Sequence, residues 1–295
     1  MSKEKVVFFV LGKKGYEAIR GFINAFSADA IMYVVIAKDK GVEDDFYQQT
    51  RSLCTTFGIV FYERLDPAID KVHRAYSFSI GWRWMIKETS RLIVFHDSLL
   101  PKYRGFAPLV NMLINGEERL GVTALFASDD YDRGEILEAR SIAITYPIKI
   151  ACAIELILPL YQELVISCYR KLISGEFKAT EQIEAEASYS LWRNEDDYII
   201  DWSWDASYIS RFCDSVGPPY RGGKTFAHGN VVRIHDAVAV ADVNVENRKA
   251  NVGKIIFMRH GNYVVVCGSG LLEIKSLTIE GAETADLPFR TRFYQ

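Results

Sequence analysis

The chain has 295 residues, of which 49% are hydrophobic, and its formal net charge at pH 7 is −3. This length suits two domains and allows a sizeable core to be buried. A slightly acidic chain has no general attraction for nucleic acid, and the sequence lacks an uninterrupted apolar run of about 18 residues, the length that a membrane span needs. We therefore expect neither nucleic acid nor a membrane among its partners.

The cysteines and the N-terminus indicate the cellular compartment. Five cysteines are scattered along the chain without a Cys-x-x-Cys pair, which favours free thiols in a reducing environment. The N-terminus carries charged residues, and no signal-peptide pattern follows them. We therefore expect a cytoplasmic protein.

The first part of the chain alternates between apolar runs and amphipathic segments. Residues 6–11 predict a buried strand, and a helix follows to about residue 26. A second strand (30–37), a second helix (about 44–57) and a further strand (75–80) continue the pattern. Strands that alternate with helices are typical of a parallel sheet covered by helices. We therefore predict a Rossmann-like α/β domain with a parallel sheet.

Residues 92–137 carry the polar side chains that best suit catalysis. An apolar run places His96 at the end of a predicted strand, and the turn Ser-Leu-Leu-Pro-Lys-Tyr-Arg-Gly occupies residues 98–105. A helix predicted at 108–115 and a strand at 121–128 lead to an acidic turn, in which Asp132 precedes Arg and Gly. Because sites in open α/β sheets lie at the carboxyl ends of strands, we predict that His96 and Asp132 meet in one crevice.

Histidine and aspartate together suit proton transfer. An imidazole contributes typically about 10² to 10⁴ in rate as a general acid or base, and a carboxylate held against it fixes its orientation. Taken alone, His96 is better explained as a satisfied polar residue at a strand end, and Asp132 as a turn former. The flanking blocks favour the catalytic interpretation.

These blocks, together with the interval between them, resemble the signature of the folate-dependent formyltransferases. That signature is a strand, Asn-x-His, Ser-Leu-Leu-Pro-x-Tyr-Arg-Gly and a later Asp-x-Gly turn. The resemblance implies N10-formyltetrahydrofolate as co-substrate, His96 and Asp132 as catalytic residues, and no metal ion. The family's asparagine, whose amide donates to the formyl oxygen, is Val94 here.

Valine cannot donate a hydrogen bond, so two interpretations of Val94 remain open. Either another donor replaces the asparagine, or the protein is a non-catalytic folate-binding module. The replacement donors that we consider are the imidazolium of His96, a backbone N–H of residues 128–134, Asn111 and an ordered water.

The resemblance also indicates where the pteridine of the folate lies. Its expected walls are the loop after the strand at 75–80 and the acidic loop that begins at residue 128. Main-chain N–H and C=O groups in these loops suit a flat ring rich in donors and acceptors. For one of the two tryptophans around Arg83 we expect core packing instead. The candidate cofactor residues are Ser79, Gly81, Trp82, Ser128, Asp129 and Tyr131.

The second part of the chain predicts a long helix at about 149–174, a helix at 206–216 and then short strands. The strands are expected at 231–234, 238–243, 253–257, 263–267 and 271–276. Short strands separated by Gly and Asn turns argue for a small β-barrel, and the resemblance implies an OB-like one. We predict a formyltransferase catalytic domain at 1–190, a linker and helix at 191–220, and a small β-rich domain at 221–295.

The acceptor is the least determined feature, because the family includes enzymes for methionyl-tRNA, glycinamide ribonucleotide and nucleotide-linked amino sugars. The ribonucleotide enzymes lack a C-terminal domain of this kind. Residues 197–295 carry 11 Lys or Arg and 11 Asp or Glu. A tRNA enzyme needs a basic surface there, so this balance disfavours it.

We therefore predict an N-formyltransferase for a nucleotide-linked sugar, with methionyl-tRNA formyltransferase as the alternative. The expected substrate is a dTDP-linked 3- or 4-amino-dideoxy sugar for surface polysaccharide (O-antigen), and the expected assembly is a homodimer. Cations suit the diphosphate and aromatic faces suit the base. The candidate substrate residues are Lys102, Tyr103, Arg104, Tyr220 and Arg221, with Trp202 as a further aromatic face.

Overall fold

The computed structural model describes residues 4–42, 44–69 and 75–295. The chain divides into two compact units. The first contains Met1–Leu109, Glu118–Ile144 and Ala153–Leu191, and the second contains Val110–Glu117, Thr145–Cys152 and Trp192–Gln295. The domain boundaries at 190 and 220 stay predictions.

The first unit is built on a seven-stranded mixed sheet. Its strands, with two short ones, are β1 (Val6–Val10), β2 (Ile31–Ile36), β3 (Phe61–Glu63), β4 (Tyr76–Ile80), β5 (Leu92–His96), β6 (Arg104–Gly105), β7 (Arg119–Phe126), β8 (Ile136–Ala143) and β9 (Tyr189–Ser190). The helices along this part of the chain are α1 (Gly12–Phe26), α2 (Tyr47–Thr56), α3 (Pro108–Asn115) and α4 (Ile150–Ser174). The strand order is β3-β2-β1-β4-β5-β7-β8, and β6 pairs with β9.

The direction of the strands differs from the prediction on one side of the sheet. The five strands from β3 to β5 are parallel, as predicted. The parallel prediction is wrong for β7 and β8, which are antiparallel to their neighbours. In β7, Thr123 lies opposite His96 and Phe126 lies opposite Ile93. The carboxyl end of β7 is therefore at the amino end of β5.

Strand alternation gives the two faces of this sheet different characters. One face buries aromatic rings, such as Phe8, which packs edge-on against Phe22 of α1 at 5.1 Å and Phe78 of β4 at 5.5 Å. Helix α4 is long and apolar enough for a membrane span, but half of its most apolar 18-residue stretch is buried inside the protein. The opposite face carries Ser79 and His96.

The second unit contains a five-stranded antiparallel sheet. Its strands are β10 (Gly223–Ala227), β11 (Asn230–Val240), β12 (Ile255–Arg259), β13 (Asn262–Val266) and β14 (Leu271–Ile279), in the order β10-β11-β14-β13-β12. Its helices include α5 (Ala206–Val216), as predicted, and α6 (Arg248–Asn251). The strands predicted at 231–234 and 238–243 form one strand, whose pairing register shifts around Asp236, and β10 was not predicted.

The C-terminal segment pairs with both edges of this sheet. Tyr294 bridges to Phe226 of β10, and Arg292 bridges to Lys254 just before β12. Phe293, between them, is 1% exposed and stacks on Trp202 with ring centroids 5.3 Å apart. The antiparallel sheet is thus established, whereas closure into a barrel and likeness to an OB-fold stay predictions.

We expect Phe293→Ala to lower the free energy of unfolding by about 3–5 kcal/mol, because it leaves a cavity against Trp202. Urea unfolding measures this. Phe289→Ala is the matched control, since Phe289 is 51% exposed and its loss is expected to cost about 0.5 kcal/mol or less. Equal losses in the two variants would show that the C-terminal segment does not anchor the sheet.

Candidate functional site

His96, the last residue of β5, is buried with both ring nitrogens facing acceptors. Its Nε2 lies 2.7 Å from the carbonyl oxygen of Tyr103, and its Nδ1 lies 3.4 Å from Oδ2 of Asp132. A carbonyl oxygen only accepts, so Nε2 must carry a hydrogen. The neutral ring therefore has its lone pair on Nδ1, beside the carboxylate.

Asp132 reaches His96 because its loop folds back along the sheet. The backbone N–H of Phe126 donates to the carbonyl of Glu135 at 3.0 Å, which closes residues 127–134 into a compact loop. A Cβ on Gly134 would lie 1.8 Å from the Phe126 oxygen, so only glycine fits there. His96 and Asp132 meet, as predicted. The reason given for it is wrong, because β5 and β7 are antiparallel and their carboxyl ends therefore point in opposite directions.

The Asp132 carboxylate is also held by the backbone. Its Oδ2 accepts from the N–H of Gly105 at 2.8 Å, which ties the acidic loop to the Tyr-Arg-Gly turn. Asp132 itself adopts a positive φ of 55°, a conformation in which aspartate is more common than most residues. The carboxylate is thereby fixed at the imidazole.

A second aspartate, Asp97, follows His96 directly and points to the other face of the sheet. Its carboxylate pairs with Lys14 and accepts from the hydroxyl of Tyr161. Burial, together with the charge of Asp97, raises the pKa of Tyr161 well above its ordinary value. Strand alternation therefore selects Asp132, and not the sequence neighbour, as the partner of His96.

Gln182 holds the acidic loop and was not found from the sequence. Its Nε2 donates to the carbonyls of Asp132 and Gly134, both at 2.7 Å. Its Oε1 accepts from Nε of Arg104 at 3.0 Å. No sequence signal distinguished this glutamine, because it lies 50 residues beyond Asp132 and outside the blocks that carry the family resemblance.

Arg104 is 1% exposed and is bonded entirely within the protein. Its Nη1 donates to Glu184 at 2.8 Å and to the hydroxyl of Tyr189 at 3.0 Å. Burial opposes its charge, but the hydrogen bonds to Glu184 and Tyr189 outweigh burial and raise the pKa of the guanidinium. The interpretation of Arg104 as a free substrate cation does not fit this placement, and we assign it to positioning the loop.

Sequence comparison identifies the family. Residues 79–148 match the model described as formyl transferase, and residues 193–289 match the formyl transferase C-terminal domain. The chain belongs to the formyl transferase family. A methionyl-tRNA formyltransferase of Nitrosomonas europaea is 30% identical over 191 residues, which is 65% of this chain and 58% of that protein. The match thus spans less than two thirds of this relative.

Solved structures share the fold of this formyl transferase chain. WlaRD, a sugar 3N-formyl transferase crystallised in the presence of dTDP and 5-N-formyl-THF, is 15% identical with a TM-score of 0.68, covering 95% of this chain and 99% of its own. An N-formyltransferase from Helicobacter canadensis, in complex with folinic acid and dTDP-3-aminofucose, is 14% identical with a TM-score of 0.67, covering 92% and 98%. At such identities the likeness establishes the fold.

The residues predicted for one pteridine wall lie at the end of β4. Ser79 is 6% exposed, Gly81 has a φ of +65°, and Trp82 packs edge-on against Phe9 at 5.5 Å. Of the two tryptophans, Trp82 is therefore the one that packs against the buried apolar cluster around Phe9 and Tyr33. A cavity of about 430 Å³ lies against this face of the sheet, with Phe9, Trp82 and Trp84 in its lining.

The opposite wall was predicted in the acidic loop. The hydroxyl of Ser128 donates to the carbonyl of Asp130 at 2.9 Å, and Asp129 is exposed. Tyr131 is 53% exposed, with its ring 5.2 Å from that of Phe106. These residues belong to the same loop as Asp132, and their contact with a folate stays a prediction.

The predicted substrate residues are divided between the two units. Lys102 is exposed, and Tyr103, at a φ of +59°, directs its carbonyl to His96. In the second unit, Tyr220 is partly buried, and the exposed Arg221 donates to Glu195 at 2.9 Å. Trp202 is 3% exposed beneath Phe293, so the proposed use of its face for a base is wrong.

The cysteines are free, and four of the five are buried. Burial raises the pKa of Cys54, Cys168 and Cys267 to about 12, which keeps these thiols protonated at neutral pH. Across residues 4–42, 44–69 and 75–295, no group of three or more His, Cys, Asp or Glu side chains is arranged to hold a metal ion. His96 and Asp132 thus remain the titratable pair that we consider for proton transfer.

We expect Gln182→Leu to lower kcat for formyl transfer by about 10- to 100-fold, because displacing a catalytic group by about 1 Å costs up to that much. The KM for the formyl donor should change little. Gln162→Leu is the matched control, since Gln162 also donates to a backbone carbonyl, that of Glu17, at 3.1 Å. If both variants keep wild-type kcat, Gln182 does not position Asp132.

Proposed function

We propose that this chain transfers a formyl group from N10-formyltetrahydrofolate to the amine of a nucleotide-linked amino sugar. The expected sugar is a dTDP-linked 3- or 4-amino-dideoxyhexose. The observation that carries the proposal is the pair of the buried His96 and the partly buried Asp132, set within the sequence that matches the formyl transferase family. We also propose a cytoplasmic homodimer that serves surface polysaccharide synthesis.

Formyl transfer to an amine requires three things of the protein. The amine must lose a proton, the tetrahedral oxyanion must be stabilised, and N10 must gain a proton as it leaves. The Nε2 hydrogen of His96 is held by the Tyr103 carbonyl, so in our proposal the proton exchanges at Nδ1, next to Asp132. Asp132 stabilises the charged imidazole while it carries the proton.

The charge distribution of the second unit supports a small acceptor over tRNA. Several of its cations are neutralised by neighbouring carboxylates: Arg221 and Arg233 by Glu195, Arg248 by Asp242, and Lys275 by Glu273. Paired side chains do not form the basic surface that binds nucleic acid phosphates. The exposed Lys102 of the first unit remains a candidate cation for a diphosphate.

The solved neighbours support the same acceptor. This chain aligns with 99% of WlaRD and 98% of the Helicobacter canadensis enzyme. The first was crystallised in the presence of dTDP and 5-N-formyl-THF, and the second in complex with folinic acid and dTDP-3-aminofucose. The second candidate is a methionyl-tRNA formyltransferase, which the 30% identity to the Nitrosomonas europaea enzyme favours.

The direct test incubates the protein with N10-formyltetrahydrofolate and a panel of dTDP-, UDP- and GDP-linked amino sugars. Mass spectrometry should detect one added formyl group on a dTDP-amino sugar. His96→Asn should lower kcat by at least about 10² to 10⁴ because it removes the proton carrier. Formylation of no sugar, or an unchanged rate in His96→Asn, would contradict the proposal.

Salt dependence separates the two acceptors. Between 50 and 200 mM salt, a tRNA enzyme with about 6–10 phosphate contacts loses roughly 10³ to 10⁵ in affinity. A nucleotide sugar with about two phosphate charges should show a change in KM of less than about tenfold. Steeply salt-dependent binding and formylation of methionyl-tRNA would establish the second candidate instead.

A further inference from the structure

The face of the sheet that carries His96 lacks the donor expected for the oxyanion. In acyl transfer the carbonyl oxygen gains negative charge, and N–H or O–H groups aimed at it stabilise the transition state. Val94 lies two residues before His96 on this face and offers only methyl groups. The strand next to β5 is the nearest element that can place a further side-chain donor on this face, and the inference that follows rests on the proposed function.

The other polar groups around His96 are already bonded. The hydroxyl of Thr123, opposite His96, donates to the Ser98 carbonyl at 2.6 Å and accepts from the N–H of Leu100 at 3.2 Å. The N–H of Gly105 donates to Asp132. The side chain of Asn111, a donor that we considered from the sequence, is held through its Oδ1, which accepts from Nη2 of Arg193 at 2.7 Å.

Ser79 is placed differently from all of these. It is the register partner of Val94 on the adjacent parallel strand, so the two side chains lie side by side on the His96 face. Strand spacing puts its Cα about 5 Å from that of Val94 and about 8 Å from that of His96, which leaves room for a formyl group between them.

Among the described residues, the hydroxyl of Ser79 is also available to a ligand. The residue is 6% exposed, yet its Oγ makes no hydrogen bond to any residue in the described part of the chain. The Oγ is not sealed from solvent, so a molecule bound on this face of the sheet can reach it. A ligand oxygen that accepts from it would account for the serine.

We propose that the Ser79 hydroxyl donates the hydrogen bond that stabilises the formyl oxygen during transfer. As the amine nitrogen bonds to the formyl carbon, the carbonyl π electrons move to oxygen, and the Ser79 hydroxyl donates to it without losing its proton. The electrons return as the bond from carbon to N10 breaks. The proton lost by the amine passes through His96 to N10. From the sequence, Ser79 was predicted only as part of a pteridine wall. Donation to the formyl oxygen is a separate role, which belongs to its hydroxyl.

The test measures the formyl carbonyl directly, without an acceptor. Isotope-edited infrared spectroscopy with a hydrolysis-stable, ¹³C-formyl-labelled analogue of the donor should show a lower carbonyl stretching frequency on binding to the wild type. Ser79→Ala should abolish this shift and Ser79→Thr should keep it. Ser215→Ala, which removes a buried serine hydroxyl bonded to Arg211 in the second unit, should also keep the shift.

Kinetics provide the second measurement. Ser79→Ala should lower kcat by about 10² to 10³ with KM little changed, as expected for loss of one oxyanion donor. Val94→Asn should bring no gain, because a donor is already present. An unchanged infrared shift in Ser79→Ala, or a gain of about a hundredfold in Val94→Asn, would overturn the assignment. A normal shift without formylation of any sugar would refute the acceptor and leave Ser79 as the donor, whereas an analogue that does not bind would refute both.

Discussion

The rest of the site depends on the contacts that the Asp132 carboxylate makes. A single oxygen, Oδ2, accepts from the Gly105 N–H and faces the imidazole of His96. To reach it, the loop after β7 must fold back across the sheet, and Gln182 and Arg104 hold it there. The two family blocks are thus joined by one carboxylate, and the buried arginine serves the geometry of the site.

Features with local causes could be predicted from the sequence. Helices α3 and α5 begin and end where their apolar spacing placed them, and β5 delivers His96 as expected. The antiparallel pairing of β7 could not be predicted, because strand direction depends on partners distant in the chain. The sequence likewise left Arg104 as a free cation, because its partners lie about 80 residues away.

The positioning role of Gln182 and the proposed donor role of the Ser79 hydroxyl were not found from the sequence, for one physical reason. Each depends on distances to atoms that are far away in the chain or belong to a ligand, and neither residue stands in a recognisable motif. Ser79 stands out only once its register with Val94 and its unpaired hydroxyl are known. A valine in the place of a donor does not imply an inert site when the adjacent strand can supply one.

The arrangement of His96 between Tyr103 and Asp132 is the central claim, and ¹⁵N NMR of the histidine ring tests it most directly. The account predicts that Nε2 of His96 carries a hydrogen and shows coupling across a hydrogen bond to the Tyr103 carbonyl. Asp132→Asn should perturb the Nδ1 resonance more than that of Nε2. A ring with an unprotonated Nε2 would contradict the account.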